Sequence, residues 1–395
     1  MAIFKLDRIA NPIFNKLQGK TKACEFRTRR NKAIEISARR IPKQPRTPAQ
    51  QNVRKAYGRA VREWRALSKE KKEEYNERAK ALKISGWNLF LKEWMEGAKY
   101  KVVLDATHID QTLTNFVLQI YLDEIQDILN FLNDDLTNLK ILDEDKKTQL
   151  KYFIASKKNQ DIPPCIYVEI PVINNNSYKT IYLVADQINT HENYITTEIF
   201  DFFDHFEDPD LPQWTSYNDI TTIVENSILK LTSSSGYGCL MTNTSFEQNV
   251  KVIAKIDKMK RDDLGKAIGF SDQCVDLEDL YPADIREYAW IPNDFWIHVR
   301  NKDNDEICSD YGKGISQTES TLLEFYSCDN YVKLKLNKET QSMSNQPCLT
   351  SNYSRKVYLA TKYYEETTDY FEIDYIAVTK AYRVEPIIYL VEKIT

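Results

Sequence analysis

Glu372-Ile-Asp374 is the nearest approach in this chain to a pair of carboxylates aimed into one cleft, the arrangement that cleaves glycosidic bonds. Two residues apart on a strand, the pair would point to one side, yet Ile376 and Ala377 stand where a further carboxylate is needed. Four histidines (108, 191, 205, 298) have no Cys or His at ligand spacing and no nucleophile motif around them. Asp123, Glu124, Asp127, Asp134, Asp135 and Asp143 match no calcium loop and read as a solvated acidic face. The run Asn301 to Glu306 reads as a hairpin turn in preference to a calcium site. These residues imply no enzyme, no catalytic residues, no metal site and no cofactor.

Recognition chemistry is better represented. Tyr281, Tyr288, Trp290 and Trp296 fall within YPADIREYAWIPNDFW, and Tyr237 lies in a Ser-Ser-Ser-Gly-Tyr-Gly turn. On loops, such flat rings would stack on sugar rings, with core packing as the competing use of each. Trp214 is expected in the core. A second candidate set is cationic: Arg27, Arg29, Arg30, Arg39, Arg40, Lys43 and Arg46 could anchor the chain or contact phosphates.

The charge is unevenly placed. Residues 1–100 hold 26 Lys and Arg against 10 Asp and Glu, a net of +16, so the overall −4 leaves −20 for residues 101–395. A basic head favours an anionic partner, while the acidic body is kept apart from such partners. The elements that carry these charges follow from local signals. Residues 22–41 alternate apolar and basic types about Arg30-Asn31, a β-hairpin pattern, and Pro42, Pro45 and Pro48 stiffen a basic connector. Thr47-Pro48-Ala49-Gln50 starts a helix to about Ala66, and Ser68 and Ser85 cap two more. Aromatic stripes with Trp64, Tyr75, Trp87, Phe90 and Trp94 would join them in a bundle.

Trp64, Leu67-Ser68, Lys71, Tyr75 and Ala79 resemble the second-to-third-helix segment of HMG boxes, over about sixteen residues. Ile84-Ser85-Gly86 interrupts what that family keeps as one long helix, and the same residues also serve as a bundle core. Taken with Phe26-Arg27, Pro48, Gln50 and Ser85-Gly86-Trp87-Asn88-Leu89-Phe90, the head resembles small proteins encoded among structural genes of archaeal and bacterial viruses.

Beyond the head, residues 100–105, 116–122, 165–170 and 180–184 read as strands of a sandwich. Thr112 to Phe116, Asp135 to Ile141, Tyr167 to Pro171 and Lys179 to Leu183 resemble, in order, landmarks of an uncharacterised archaeal β-domain family. Val184-Ala185-Asp186 departs from that family's paired Tyr followed by Gly-Asn, which leaves the domain end open. From Phe200 the chain resembles concanavalin-A-like (laminin-G-like) jelly rolls, through an Asp-Phe-x-Asp entry, Trp214-Thr215, the strand Val224 to Leu231 and the closing strand Tyr370 to Val378. The laminarinase-like branch of that fold needs the Glu-x-Asp-x-x-Glu pattern that Glu372 fails to complete.

The fold class expected is therefore mainly β with a small N-terminal α-helical region and two consecutive β-sandwich/jelly-roll domains: residues 1–99 a basic hairpin and helical anchoring head, 100–190 a β-sandwich, 198–395 the jelly roll. Seven cysteines without a CxxC pair read as buried reduced thiols with at least one unpaired. Neither a signal peptide nor an eighteen-residue apolar run is apparent. The resemblances imply a virion structural protein (a spike, turret, tail or capsid-surface component) made in host cytoplasm. It would hold other virion proteins through its head, bind a host-surface glycan through its last domain, and form a homo-oligomer. The alternatives are a nucleic-acid-binding protein that uses the basic head, or a non-viral glycan-binding adhesin.

Overall fold

The computed structural model describes residues 19–20, 24–28, 34–38 and 47–394, the last range without 126, 247–248, 260–265, 272–273, 275–285, 291–294, 301–305, 313–319, 329–330, 345–355, 363–369 and 383. The chain divides into two compact units, Met1–Arg54 and Lys55–Thr395. In the first, β1 (Gly19–Lys20), β2 (Cys24–Thr28) and β3 (Ile34–Ala38) form an antiparallel sheet in which Thr28 opposes Ile34, the hairpin that the alternation predicts.

Three helices follow: α1 (Pro48–Ala66), α2 (Lys69–Ala81) and α3 (Gly86–Glu96). Their starts are fixed as the sequence indicates. The hydroxyl oxygens of Thr47, Ser68 and Ser85 accept from the backbone amides of Gln50, Lys71 and Asn88, satisfying donors that a helix leaves open. Leu82 to Ser85 separate α2 from α3, so no single long helix of the HMG type forms. Trp64, Tyr75, Trp87 and Phe90 are instead the aromatic core of the bundle. The bundle from Lys55 onward packs on the β body: Trp94 meets Phe131 at 5.6 Å, and Arg59 donates to Asn133 Oδ1 and, at 2.7 Å, to the Gln187 carbonyl. Gly97 ends α3 at φ +69°, and a Cβ there would stand 2.0 Å from the Ala185 carbonyl oxygen; only glycine permits this turn into the sheet.

The first sandwich comprises β4 (Lys99–Ala106), β5 (Leu113–Tyr121), β6 (Leu139–Leu142), β7 (Tyr152–Ser156), β8 (Cys165–Ile173) and β9 (Ser177–Ala185). Its second layer runs β5-β8-β7. The first layer runs β6-β9-β4 and takes as its fourth strand the chain's last one. Val102, Leu104, Ile181 and Leu183 from one layer meet Phe116, Leu118, Ile166 and Val168 from the other to form its core.

The second sandwich is built from β10 (Phe202–Asp204), β11 (Trp214–Glu225), β12 (Ile228–Thr242), β13 (Val250–Met259), β14 (Lys266–Ser271), β15 (Arg286–Trp290), β16 (Phe295–Arg300), β17 (Glu306–Gly312), β18 (Thr321–Cys328), β19 (Tyr331–Leu336), β20 (Glu339–Ser344), β21 (Lys356–Lys362) and β22 (Phe371–Lys380). All thirteen are antiparallel members of one hydrogen-bonded sheet that folds over itself. The fold-over is made by β12: Leu229 to Leu231 pair with β22, whereas Tyr237 to Met241 pair with β21. A strand that changes sheets in this way turns a corner. One layer thus runs β20-β19-β18-β13-β22, and the other β17-β16-β15-β14-β21-β12. Between them lie Val252, Leu323 and Phe325 from the first layer and Ile268, Phe270 and Leu359 from the second, with Phe270 and Phe325 6.4 Å apart. Trp214 is buried as expected, its indole N–H donating to Asp204 at 2.7 Å.

The final strand, β23 (Ile387–Ile394), leaves the second sandwich and pairs with β4. It falls within the span 198–395 expected for the jelly roll, yet its partner β4 lies more than 280 residues earlier in the chain. The protein is mainly β with N-terminal helices and sandwich-like antiparallel sheets, the fold class expected.

Candidate functional site

Of the two layers of the second sandwich, the one made of β12, β21, β14, β15, β16 and β17 carries, by position, four of the aromatic candidates. Leu240, Leu359 and Ile268 point into the core. Their neighbours Cys239, Ala360 and Ala267 therefore occupy the opposite face, since side chains alternate along a strand. Register carries this row across the layer: Cys239 opposes Ala360, Ala360 opposes Ala267, Ala267 opposes Trp290, Trp290 opposes Trp296, and Trp296 opposes Tyr311. The adjoining row of the same face runs Met241, Tyr358, Gly269, Tyr288, His298, Ser309.

Half of this face is thus small or closed, and the other half is aromatic by position. Cys239, Met241, Ala267, Tyr358 and Ala360 are buried in a satellite cluster against Cys274. Cys239 and Cys274 form a disulfide, which corrects the expectation of reduced thiols for that pair; Cys165 is a free, buried thiol, and Cys328 is buried. Asn218 lies beside it, its amide 3.8 Å from the Cys274 sulfur. The β11 ladder shifts register between Asn218 and Ile220, and Gly238 sits under that bulge, where a Cβ would fall 2.4 Å from the Ile220 nitrogen.

Four of the five predicted aromatic contacts fall on strands, not loops. Trp290 and Trp296 are paired in register in the β15–β16 ladder, and Tyr288 precedes Trp290 by two positions. Tyr237 precedes Cys239 by two on β12, half-buried, in strand and not in a turn. Tyr281 lies outside the described residues, as does the segment 301–305. The turn signals Pro282, Pro292 and Asn293 flank these strands and made a loop the natural reading. Of the cationic candidates, Arg27 is on β2 opposite Glu35 in register; Arg29, Arg30, Arg39, Arg40, Lys43 and Arg46 lie outside the described residues.

The carboxylates of Glu372 and Asp374 are engaged by lysines, Glu372 with Lys230 at 3.9 Å and Asp374 with Lys255 at 2.8 Å. The acidic residues of the first sandwich are likewise committed. Asp123 and Glu124 hold Lys338 at 2.6 and 3.2 Å, Asp143 holds Lys179 at 2.6 Å, and Asp135 accepts from Thr137.

A buried polar seam that sequence reasoning missed joins the two sandwiches. Phe153, Tyr167 and Phe200 from the first sandwich side pack on Ile253, Leu322, Tyr375 and Ala377 of the second. Within this seam Glu324, 1% exposed, accepts from Tyr167 at 2.7 Å and from Tyr326 at 2.8 Å and pairs with Lys335 at 3.2 Å. Lys335 also donates to Gln119 across the joint. Lys333 and Lys251 approach Glu385 at 3.4 and 3.7 Å, and Lys333 lies 3.8 Å over the Tyr326 ring. Burial by itself pushes the Glu324 carboxyl up, but Lys335, Lys251 and both tyrosine hydroxyls together outweigh it and hold it well below the ordinary carboxylate range. Burial pushes Lys333 down, whereas for Lys335 the pull of Glu324 prevails and raises it. No one residue in this set carries a motif; only the alternation of Glu324, Tyr326, Lys333 and Lys335 on neighbouring strands could have hinted at it.

A domain of unknown function, DUF2341, matches residues 135–217, a span from β6 across the seam into β11. No curated protein matches the chain. Among solved structures, the calcium- and mannose-bound exoplasmic/lumenal domain of VIP36 is similar at 11% identity with a TM-score of 0.35, over 46% of this chain and 91% of that one. The metal-free carbohydrate recognition domain of Emp46p is similar at 14% identity and 0.35, over 45% and 95%. A structure from work on endo-acting O-glycanases of human gut microbiota is similar at 14% and 0.35, over 46% and 100%. Likeness at this level assigns no ligand and no activity to this chain.

Proposed function

We propose that this protein is a glycan-binding attachment protein of the adhesin type, with binding and no catalysis at its outer face. The observation that carries this reading is the transverse row, in which Trp290, Trp296 and Tyr311 hold consecutive register positions with Tyr288 in the next row. Directly opposed aromatic positions on adjacent strands, about 5 Å apart, make a platform on the scale of a sugar ring. Commitment of Glu372 and Asp374 to lysines supports binding over hydrolysis. The Cys239–Cys274 disulfide accords with a protein that works in an oxidising exterior. In this reading the basic N-terminal region is the anchoring half, and a virion surface is one setting in which such a protein would serve.

A glycan array probed with the full chain tests the proposal. Wild type is expected to retain a defined glycan set, and Trp290→Ala to lose at least about tenfold in affinity with its unfolding midpoint within about 2 °C of wild type. Absence of any bound glycan, or unchanged affinity in the variant, would overturn the reading.

A further inference from the structure

The geometry points to β23 as the interface with a second copy of this chain, paired antiparallel about a two-fold axis beside Val391. This inference does not depend on the glycan reading. Among the described residues nothing pairs with the outer edge of β23: the first layer ends there, in the order β6-β9-β4-β23. A free edge presents a row of unmade backbone hydrogen bonds, and monomeric proteins shorten it, charge it or cover it. Here it is eight residues long, with one irregularity between Ile388 and Leu390 and one lysine.

The side chains fit an occupied edge. Ile387 is 61% exposed, Tyr389 66% and Leu390 41%, with Val391 and Ile394 also exposed, and Tyr389 meets the exposed Tyr178 at 5.9 Å. Of the exposed large apolar and aromatic side chains among the described residues, a third lie on this one strand. Concentration of that kind marks an interaction surface.

Charge selects a second copy as the occupant. Residues 101–395 carry a net −20, so two bodies repel wherever their acidic surfaces meet. On β23, however, Glu392 and Lys393 cancel. The neighbouring β4 is polarised, with Lys99 and Lys101 opposite Ile394 and Glu392, and Asp105 opposite Ile387. A two-fold axis reverses strand direction, so the Lys99 end of one copy's β4 and the Asp105 end of the other's fall at the same end of the shared layer, three strand spacings or about 14 Å apart. The same operation makes one continuous eight-stranded layer from two four-stranded ones, and only antiparallel pairing of a strand with itself is isologous.

Sedimentation velocity on the full chain, from low micromolar to about 100 μM, decides the matter. Wild type is expected to shift to dimer with rising concentration. The Tyr389→Lys/Leu390→Lys double variant, altered only at exposed positions, should keep the wild-type unfolding midpoint and weaken dimerisation at least tenfold. Hydrogen exchange gives a second readout: amides of residues 387–394 should slow as concentration rises. A wild type that stays monomeric throughout, a double variant that dimerises like wild type, or exchange at β23 indifferent to concentration would each overturn the assignment.

Discussion

Glu324 is a single side chain that ties β18 of the second sandwich to Tyr167 of the first. It is buried, ionised, and satisfied by two hydroxyls and an ammonium, so replacing it leaves Lys335 without the carboxylate it pairs with and Lys251 with Glu385 alone. Glu324→Gln is expected to cost about 3–5 kcal/mol in urea unfolding. The pH dependence has a defined sign. A carboxylate held below its unfolded value stabilises the fold above that value, 4.5 for Glu, and the contribution fades as pH falls through that value toward the folded one. Asp186 acts in the same direction: burial opposes its charge, but His191 and the amides of Ile188 and Asn189 outweigh it. Wild type should therefore lose stability steadily below about pH 4.5, and Glu324→Gln should lose less over the same interval. Equal slopes for the two proteins would show that Glu324 is not the titrating group.

The elements differ in how plainly the sequence announces them. Helix starts were legible because a cap is a local hydrogen bond: Thr47, Ser68 and Ser85 all perform the role that their spacing suggests. Ser85→Ala should cost about 1 kcal/mol and loosen α3 first, which circular dichroism of the thermal transition would register. The aromatic candidates were legible as residue types but not as positions, because their rows depend on β12, β21 and β14 meeting across more than a hundred residues of chain. Cys239–Cys274 was illegible for the same reason; 35 residues apart, the two cysteines meet only after β14 and β12 are set one strand apart. Opening that link by Cys239→Ala should cost about 3–4 kcal/mol, the value for a closed loop of this length, and non-reducing peptide mapping should recover the linked pair from wild type. Recovery of both as free thiols would remove the tether from the account.

For the whole molecule, the charge split is one that the architecture only partly follows. The basic helices from Lys55 onward are not set apart: through Trp94, Phe131 and Arg59 they share the first sandwich's surface. Likewise the last strand returns to the first sandwich, so that body is assembled from both ends of Lys55–Thr395 and grips the second sandwich through the Glu324 seam. Such return strands follow no local signal. A chain deleted after Pro386 should leave the Leu104 edge of β4 uncovered and lower the unfolding midpoint by several degrees. The central claim concerns the outer face of the second sandwich. A crystal structure with an oligosaccharide taken from the array tests it most directly. Sugar rings over the Trp290–Trp296 ladder are the predicted result; sugar bound only elsewhere, for instance in the cleft lined by Asn115, Glu169, Asp201 and Lys380, would contradict it.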